Sequence, residues 1–221
     1  MLLGAPGVGK GTQAEMLCAR LGACHLSTGD VFRAAKCLGE GERSPALEQA
    51  LEQMRRGDLV SDNTVLAMVA ERVKCLRCRG GFVLDGFPRT VAQAEALEKL
   101  LASEKLKLGA VLNYELPIAE IVARLAGRRT CSSCKAVFHE QQMPPRVAGI
   151  CDHCGGKLFQ REDDTPAAIR VRMQAYEQAT RPLIDFYSRR GLLISVPANG
   201  TPEEICRRTL AALDAAKEAK A

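Results

Sequence analysis

The sequence predicts an α/β fold: a parallel sheet flanked by helices, with one small inserted module. Three observations predict it. Short apolar runs that end in glycine or a charge alternate with amphipathic stretches along most of the chain, as parallel strands joined by helices require. A glycine-rich turn separates the first apolar run from the first amphipathic stretch. Residues 128–163 then break the alternation with four cysteines, two of the three histidines, two prolines and little helical periodicity.

The elements follow in order. Met1-Leu3 is a first strand; only three residues precede Gly4 where about five are typical, so either the chain starts further upstream or, if it begins at Met1, the strand is expected to be frayed at its beginning with the glycine turn intact. A helix over 10–21 and a strand at Ala23-Leu26 come next, and Phe82-Leu84 is a buried strand. A helix over about 90–101 carries the core stripe Leu97, Leu100 and Leu101. Val111-Leu112 with Tyr114-Leu116 forms another strand, followed by a helix from about Pro117 to Ala126. Thr165-Pro166 and Thr201-Pro202 each pair a capping threonine with a proline in the first turn. They open a long helix of roughly 166–189 and a last helix, with the strand Leu192-Val196 between them. The Ala/Lys/Glu-rich residues 211–221 read as a fraying helix end.

The chain has 221 residues, 47% hydrophobic and 26% charged, with a net charge of +5. That composition is globular, suits one core with a small insert, and is too mildly basic to imply a nucleic-acid partner. No apolar run approaches the ~20 residues of a membrane span, and Met1-Leu2-Leu3 leads straight into the glycine turn without a basic leader. A cytoplasmic protein with no membrane partner and mostly reduced thiols is expected.

Gly4-Ala5-Pro6-Gly7-Val8-Gly9-Lys10-Gly11-Thr12 matches GxxxxGK between a strand and a helix, the context of a phosphate-binding P-loop. Its glycines let backbone N–H groups turn towards phosphate oxygens. The helix N-terminus adds positive potential, and Lys10 reaches the β- and γ-phosphates. The hydroxyl that usually follows the lysine is displaced one step, to Thr12.

Further segments add a second phosphate site. Ser27-Thr28-Gly29-Asp30-Val31-Phe32-Arg33 places a hydroxyl and an arginine beyond a strand, and Asp85-Gly86-Phe87-Pro88-Arg89-Thr90 ends a buried strand in a carboxylate, a turn and an arginine. Arg124 and Arg128 are i,i+4 neighbours, read as one helix face, and Arg161, Arg170 and Arg172 follow the cysteine module. With GDLVSD at 57–62, GRR at 127–129 and REDD at 161–164 in order, the sequence resembles the adenylate kinases, specifically the long form with a zinc-bearing lid, over essentially its whole length.

The resemblance implies a P-loop nucleoside-monophosphate kinase fold. The CORE would be 1–27, 61–127 and 164–221, the monophosphate-binding segment 28–60, and the zinc-binding LID 128–163. It implies reversible phosphoryl transfer from Mg·ATP to AMP, giving two ADP, in a monomer. Gly7, Val8, Gly9, Lys10, Gly11 and Thr12 would hold ATP phosphates together with Arg124 and Arg128. Val137 and Phe138 would pack near the ATP base, and the backbone around Gly200 to Pro202 would complete that pocket. Thr28, Arg33, Asp58, Leu59, Val60, Gly86, Phe87, Pro88, Arg89 and Gln93 would bind AMP, the Gln93 amide reading the adenine edge with its donor and acceptor. Arg161 and Arg172 would close over the phosphates, and Asp85 would hold magnesium through water. Asp85 also has a plainer reading, as a cap for the following helix, for which Thr90 competes. The acceptor is already anionic, so the chemistry needs positioning and charge neutralisation rather than a strong base. Lys10, Arg33, Arg89, Arg128, Arg161 and Arg172 supply the cations, and a lid closing only over both substrates would suppress hydrolysis.

Cys131-x2-Cys134-x16-Cys151-x2-Cys154 has the spacing of a structural four-cysteine zinc site. Four thiolates complete the shell, leaving His139 and His153 outside it. Cys75-x2-Cys78 has no partner pair and reads as two thiols at a helix end, and Cys18, Cys24, Cys37 and Cys206 read as unremarkable. Two alternatives stand beside the main reading. One is a kinase preferring UMP or CMP. The other is a nucleic-acid-binding ATPase with a zinc ribbon, although that ribbon carries one cation each in Lys135, Arg146 and Lys157 and a single aromatic, Phe138, inside the first knuckle region.

Overall fold

A computed structural model describes residues 1–27, 51–53, 55–56, 60–62, 65 and 80–219. The expectations placed on Thr28, Arg33, Asp58, Leu59, Cys37, Cys75 and Cys78, and on most of segment 28–60, lie outside them. Five strands, β1 (Leu2–Gly4), β2 (Cys24–Ser27), β3 (Phe82–Asp85), β4 (Val111–Glu115) and β8 (Leu193–Pro197), form one sheet in the order β2-β3-β1-β4-β8. Every pairing in it is parallel. Consecutive side chains along a strand point to opposite faces. Leu3, Leu84 and Val111 accordingly enter one core cluster, and their neighbours Leu2, Val83 and Leu112 the other.

Helices α2 (Val91–Ser103) and α5 (Pro182–Ser188) cover the first face through Leu97, Leu101, Leu183 and Tyr187. Helices α1 (Lys10–Leu21) and α6 (Pro202–Glu218) cover the second through Ala14, Leu17, Ile205 and Cys206. The fraying expected of β1 is absent. Met1 is buried, and its carbonyl accepts from the Leu112 N–H at 2.9 Å, which anchors the strand.

Helix α3 (Ile118–Ala126) leads into a separate antiparallel sheet of β5 (Arg128–Cys131), β6 (Val137–His139) and β7 (Leu158–Phe159), in the order β6-β5-β7. This corrects the placement of Arg124 and Arg128 on one helix face. Gly127 caps α3, and Arg128 is the first residue of β5. The stretch read as one helix over 166–189 is also divided. Helix α4 (Pro166–Ala175) passes into a π-helical turn over Tyr176–Thr180 before α5. Pro182 has no N–H for the α-helical ladder and its ring crowds the carbonyl four residues back. The Arg181 N–H is bonded to the Tyr176 carbonyl, five residues back, at 2.8 Å. The last helix runs in order to Glu218.

Candidate functional site

The chain leaves β1 for β2 on one side and reaches β4 on the other, so the sheet order reverses beside β1, where parallel α/β sheets bind ligands at their carboxyl ends. The glycine turn lies there. Gly7 and Gly9 have φ of 84° and 103°, a region that L side chains rarely adopt. A Cβ on Gly7 would stand 2.6 Å from Leu125, whereas one on Gly9 would meet nothing within 4 Å. Gly7 therefore packs the turn on α3, while Gly9 leaves it open at the N-terminus of α1. Val8 is buried, so only its backbone is available to a phosphate. Lys10 Nζ donates to the carbonyls of Gly4 at 2.7 Å and Ala5 at 2.9 Å. Burial pushes its pKa down from 10.5 to about 8, against the pull of Asp85 and with the help of Arg89, Arg172 and Arg128.

Those four groups come from three separate segments: the end of β3 with the turn after it, β5 and α4. Asp85 ends β3, and a Cβ placed on Gly11 would lie 3.6 Å from its Oδ2. His25 Nε2 on β2 is 3.8 Å from the same oxygen. The capping question for α2 is settled by Thr90, whose Oγ1 accepts from the Gln93 N–H at 3.1 Å. Gly86, Phe87 and Pro88 form the turn after β3, with Phe87 buried and a cis Phe87-Pro88 peptide. Arg89 Nε donates to the Gly86 carbonyl at 2.8 Å. Val60 packs against the core cluster beneath α2. Gln93 is buried and engaged at both ends: its Oε1 accepts from the Arg89 N–H at 2.7 Å and its Nε2 donates to Asp62 Oδ1 at 2.5 Å. To read a base edge, the amide would exchange Asp62 for the base.

The arginines of the lid side converge on one carboxylate. Asp164 is fully buried. It accepts Arg128 Nε at 2.7 Å on Oδ2 and Nη2 at 2.6 Å on Oδ1, and Arg172 Nη1 at 2.9 Å on Oδ1. Arg172 also reaches the Asp163 carbonyl at 2.8 Å and its carboxylate at 3.2 Å. Burial lowers the pKa of Arg172, partly offset by Asp163. Arg161 Nε donates to Thr130 Oγ1 at 2.8 Å, which ties it to β5. Arg170 is exposed on α4.

Arg124 donates to the Ala198 carbonyl at 3.0 Å and the Val8 carbonyl at 3.4 Å, linking α3 to the glycine turn and to the turn after β8. There Thr201 caps α6 in a reciprocal box with Glu204, and the Pro202 carbonyl accepts from Gln13 Nε2 at 2.9 Å.

In the inserted module, Cys131, Cys134, Cys151 and Cys154 bring four Sγ atoms within 4.8 Å of one another. The Cys131–Cys154 and Cys134–Cys151 separations are both 3.5 Å. A tetrahedron with Zn–S bonds of ~2.3 Å has edges of about 3.8 Å, so the cluster fits zinc in size and donor type. Burial opposes ionisation of Cys131, but N–H groups of Cys134 and Ser133 and the neighbouring thiols of Cys154 and Cys134 override it and lower its pKa. Cys134, against the pull of the Ala136 N–H, is pushed up by the thiols of Cys154, Cys151 and Cys131. Apart from those cysteines the module's core is Phe138, with Ala136 and Leu158 against it, too little to fold alone. Phe138 is committed to that core, its ring edge-on to His153 at 5.8 Å. Of the pair expected near the ATP base, half-exposed Val137 has side-chain surface to offer. Among the other described cysteines, Cys18 and Cys206 are free thiols. Cys24 is disulfide-bonded, which corrects its reading as an unremarkable thiol.

Four site residues were missed by reading motifs alone. Asp164 and Asp62 stand inside quoted motifs and Gln13 directly follows one, but nothing in their spacing names their partners. Thr180, whose Oγ1 donates to the Arg89 carbonyl at 2.9 Å, had no signal except Pro182 two residues on.

The family model described as "Adenylate kinase" matches residues 2–192. The chain is 47% identical over 214 residues to the adenylate kinase of Thermodesulfovibrio yellowstonii, covering 97% of this chain and 98% of the relative. It is 46% identical over 205 residues to that of Carboxydothermus hydrogenoformans, covering 93% and 94%. It is 45% identical over 214 residues to that of Streptomyces coelicolor, covering 96% and 97%.

Proposed function

From the premise that this chain belongs to the adenylate kinase family, we propose how its residues carry out reversible phosphoryl transfer from ATP to AMP, giving two ADP. The chain is a nucleoside-monophosphate phosphotransferase. The observation that carries the residue assignment is the geometry at the glycine turn, where Lys10 Nζ sits on the Gly4 and Ala5 carbonyls and Asp85 Oδ2 lies 3.6 Å from where a Gly11 Cβ would stand, together with the pairing of Arg128 and Arg172 on Asp164.

Residues 7–12 hold the ATP phosphates through backbone N–H groups and the α1 N-terminus. Lys10 leaves the Gly4 and Ala5 carbonyls for a phosphate, which costs little because phosphate oxygens are the stronger acceptors. Arg128, Arg161 and Arg172 bring planar guanidinium forks to the transferring group, and Arg124 braces the turn beside the base. Arg89 and Gln93 serve the acceptor, with Thr28, Arg33 and residues 58–60 completing its pocket. Asp85 is the carboxylate suited to hold Mg²⁺ through water, and bound magnesium neutralises phosphate charge. No protein base is required, because the attacking oxygen of AMP is already anionic. The four cysteines hold structural zinc, whose thiolate shell leaves no open position.

The proposed division is a CORE of 1–27, 61–127 and 164–221, a monophosphate-binding segment of 28–60 and a LID of 128–163. The separate β5-β6-β7 sheet with its own cysteine cluster supports the LID. We propose that it acts as a monomer on cytoplasmic adenine nucleotides. The test is ADP formation from Mg·ATP with AMP, CMP, UMP and GMP in parallel and a no-acceptor control. A strong AMP preference is expected. Comparable rates with CMP or UMP would overturn the acceptor assignment, and equally fast hydrolysis without acceptor would overturn the gating role of the LID.

A further inference from the structure

Gln13 stands on the first turn of α1, three residues after Lys10, and is only 2% exposed. Its amide makes one side-chain hydrogen bond, from Nε2 to the Pro202 carbonyl at 2.9 Å, 189 positions away. A carbonyl can only accept, so the donor end of the amide is the end that faces it. Gln13 Oε1 is then left buried with no partner among the described residues. A half-satisfied amide costs free energy in such a place, and an apolar side chain of the same length would avoid that cost. The bond that Gln13 does make is therefore the feature that sets it apart from a simple packing residue. That bond joins the glycine turn's helix to the turn after β8. Arg124 makes a parallel link through Val8 and Ala198, and Arg208 holds the Pro197 and Asn199 carbonyls from outside.

We propose that Gln13 is a positioning residue for the ATP base, holding the Asn199–Pro202 turn at a set distance from the phosphate loop so that base and triphosphate are bound as one rigid unit. The inference rests on the reading that this turn completes the ATP base pocket. Gln13 touches the turn rather than the reacting atoms. Its loss is therefore felt by ligands carrying a base and not by a bare polyphosphate.

The experiment uses the full zinc-loaded chain with Gln13→Met, which keeps the length and removes the hydrogen bond, and Gln13→Glu, which sets an acceptor against the carbonyl. Binding of ATP and of inorganic tripolyphosphate is measured by calorimetry, with KM for ATP and for AMP. Loss of one such bond is worth about fivefold in affinity. Gln13→Met should therefore weaken ATP about fivefold with tripolyphosphate binding and KM for AMP unchanged, and Gln13→Glu should weaken ATP more. Hydrogen exchange of the Asn199–Glu204 amides in the ligand-free variants should accelerate, a readout that does not depend on activity. Unchanged ATP affinity in Gln13→Met would overturn the inference, as would equal weakening of ATP and tripolyphosphate, which would assign Gln13 to the phosphate loop. Photolabelling of the wild-type chain with 8-azido-ATP tests the underlying reading separately. Label outside residues 198–202 would remove the base pocket itself, whereas label within them with an unaffected Gln13→Met would refute Gln13 alone.

Discussion

Replacing Asp164 by asparagine should damage stability and catalysis together, because one buried carboxylate organises two arginines. Asp164 is fully buried, and the side chains of Arg128 and Arg172 are only 16% and 17% exposed. Three hydrogen bonds of 2.6–2.9 Å bind the carboxylate to them. The amide keeps one acceptor oxygen but turns an NH₂ towards a guanidinium, and it removes the charge offsetting two partly desolvated cations. Breaking a buried ion pair costs about 3–5 kcal/mol. For a chain of 221 residues, each kcal/mol lowers Tm by about 2–4 °C, so a fall on the order of 10 °C is expected. Misplacing the two arginines proposed to bind phosphate should lower kcat/KM by about 10² in both directions of the reaction. Calorimetric melting and steady-state kinetics measure the two effects. A double-mutant cycle with Arg172→Met should be strongly non-additive, since both changes empty the same network. A Tm shift below about 3 °C with kcat/KM within a factor of about three would refute the hub role of Asp164.

Three more expectations follow from the same geometry. Cys151→Ser, or stripping with a chelator, should abolish one equivalent of zinc by elemental analysis and lower Tm, with the P-loop still folded; retained metal and an unchanged Tm would remove the structural-zinc reading. The Lys10 ammonium, pushed down from 10.5 to about 8 chiefly by burial, should lose its charge in the free protein above pH about 8. ATP affinity measured across pH 6.5–9.5 should then decline above pH about 8, by up to about tenfold per pH unit. The sign for stability is the reverse, since the unfolded chain binds the extra proton between pH 8 and 10.5 and stability contributed by this group rises with pH there. A flat ATP profile would show that Lys10 stays charged. Thr180→Val, which removes the hydrogen bond to the Arg89 carbonyl, should raise KM for AMP by about fivefold without moving KM for ATP; an equal effect on both would point to general loosening instead.

Much of this protein was legible in its sequence because the relevant physics is local. A GxxxxGK turn between strand and helix needs only its own residues to make a phosphate cradle, and two CxxC knuckles need only their spacing to define a metal shell. The strands β1, β2, β3, β4 and β8 were each visible as short apolar runs, and the caps at Thr165 and Thr201 as Thr-Pro pairs. What the tertiary structure alone decided are pairings between residues far apart in the chain. Asp164 meets Arg128 across 36 positions, Thr180 meets Arg89 across 91, and Gln13 meets Pro202 across 189. A polar residue's type states how many bonds it can make, but not with whom. Its partner is set by the sheet order that brings the carboxyl ends of β1, β3 and β4 to one crevice. The same reason explains the departures in this chain. The division of the 166–189 helix and the retreat of Phe138 into the cysteine module follow from contacts and backbone constraints that helical periodicity does not carry.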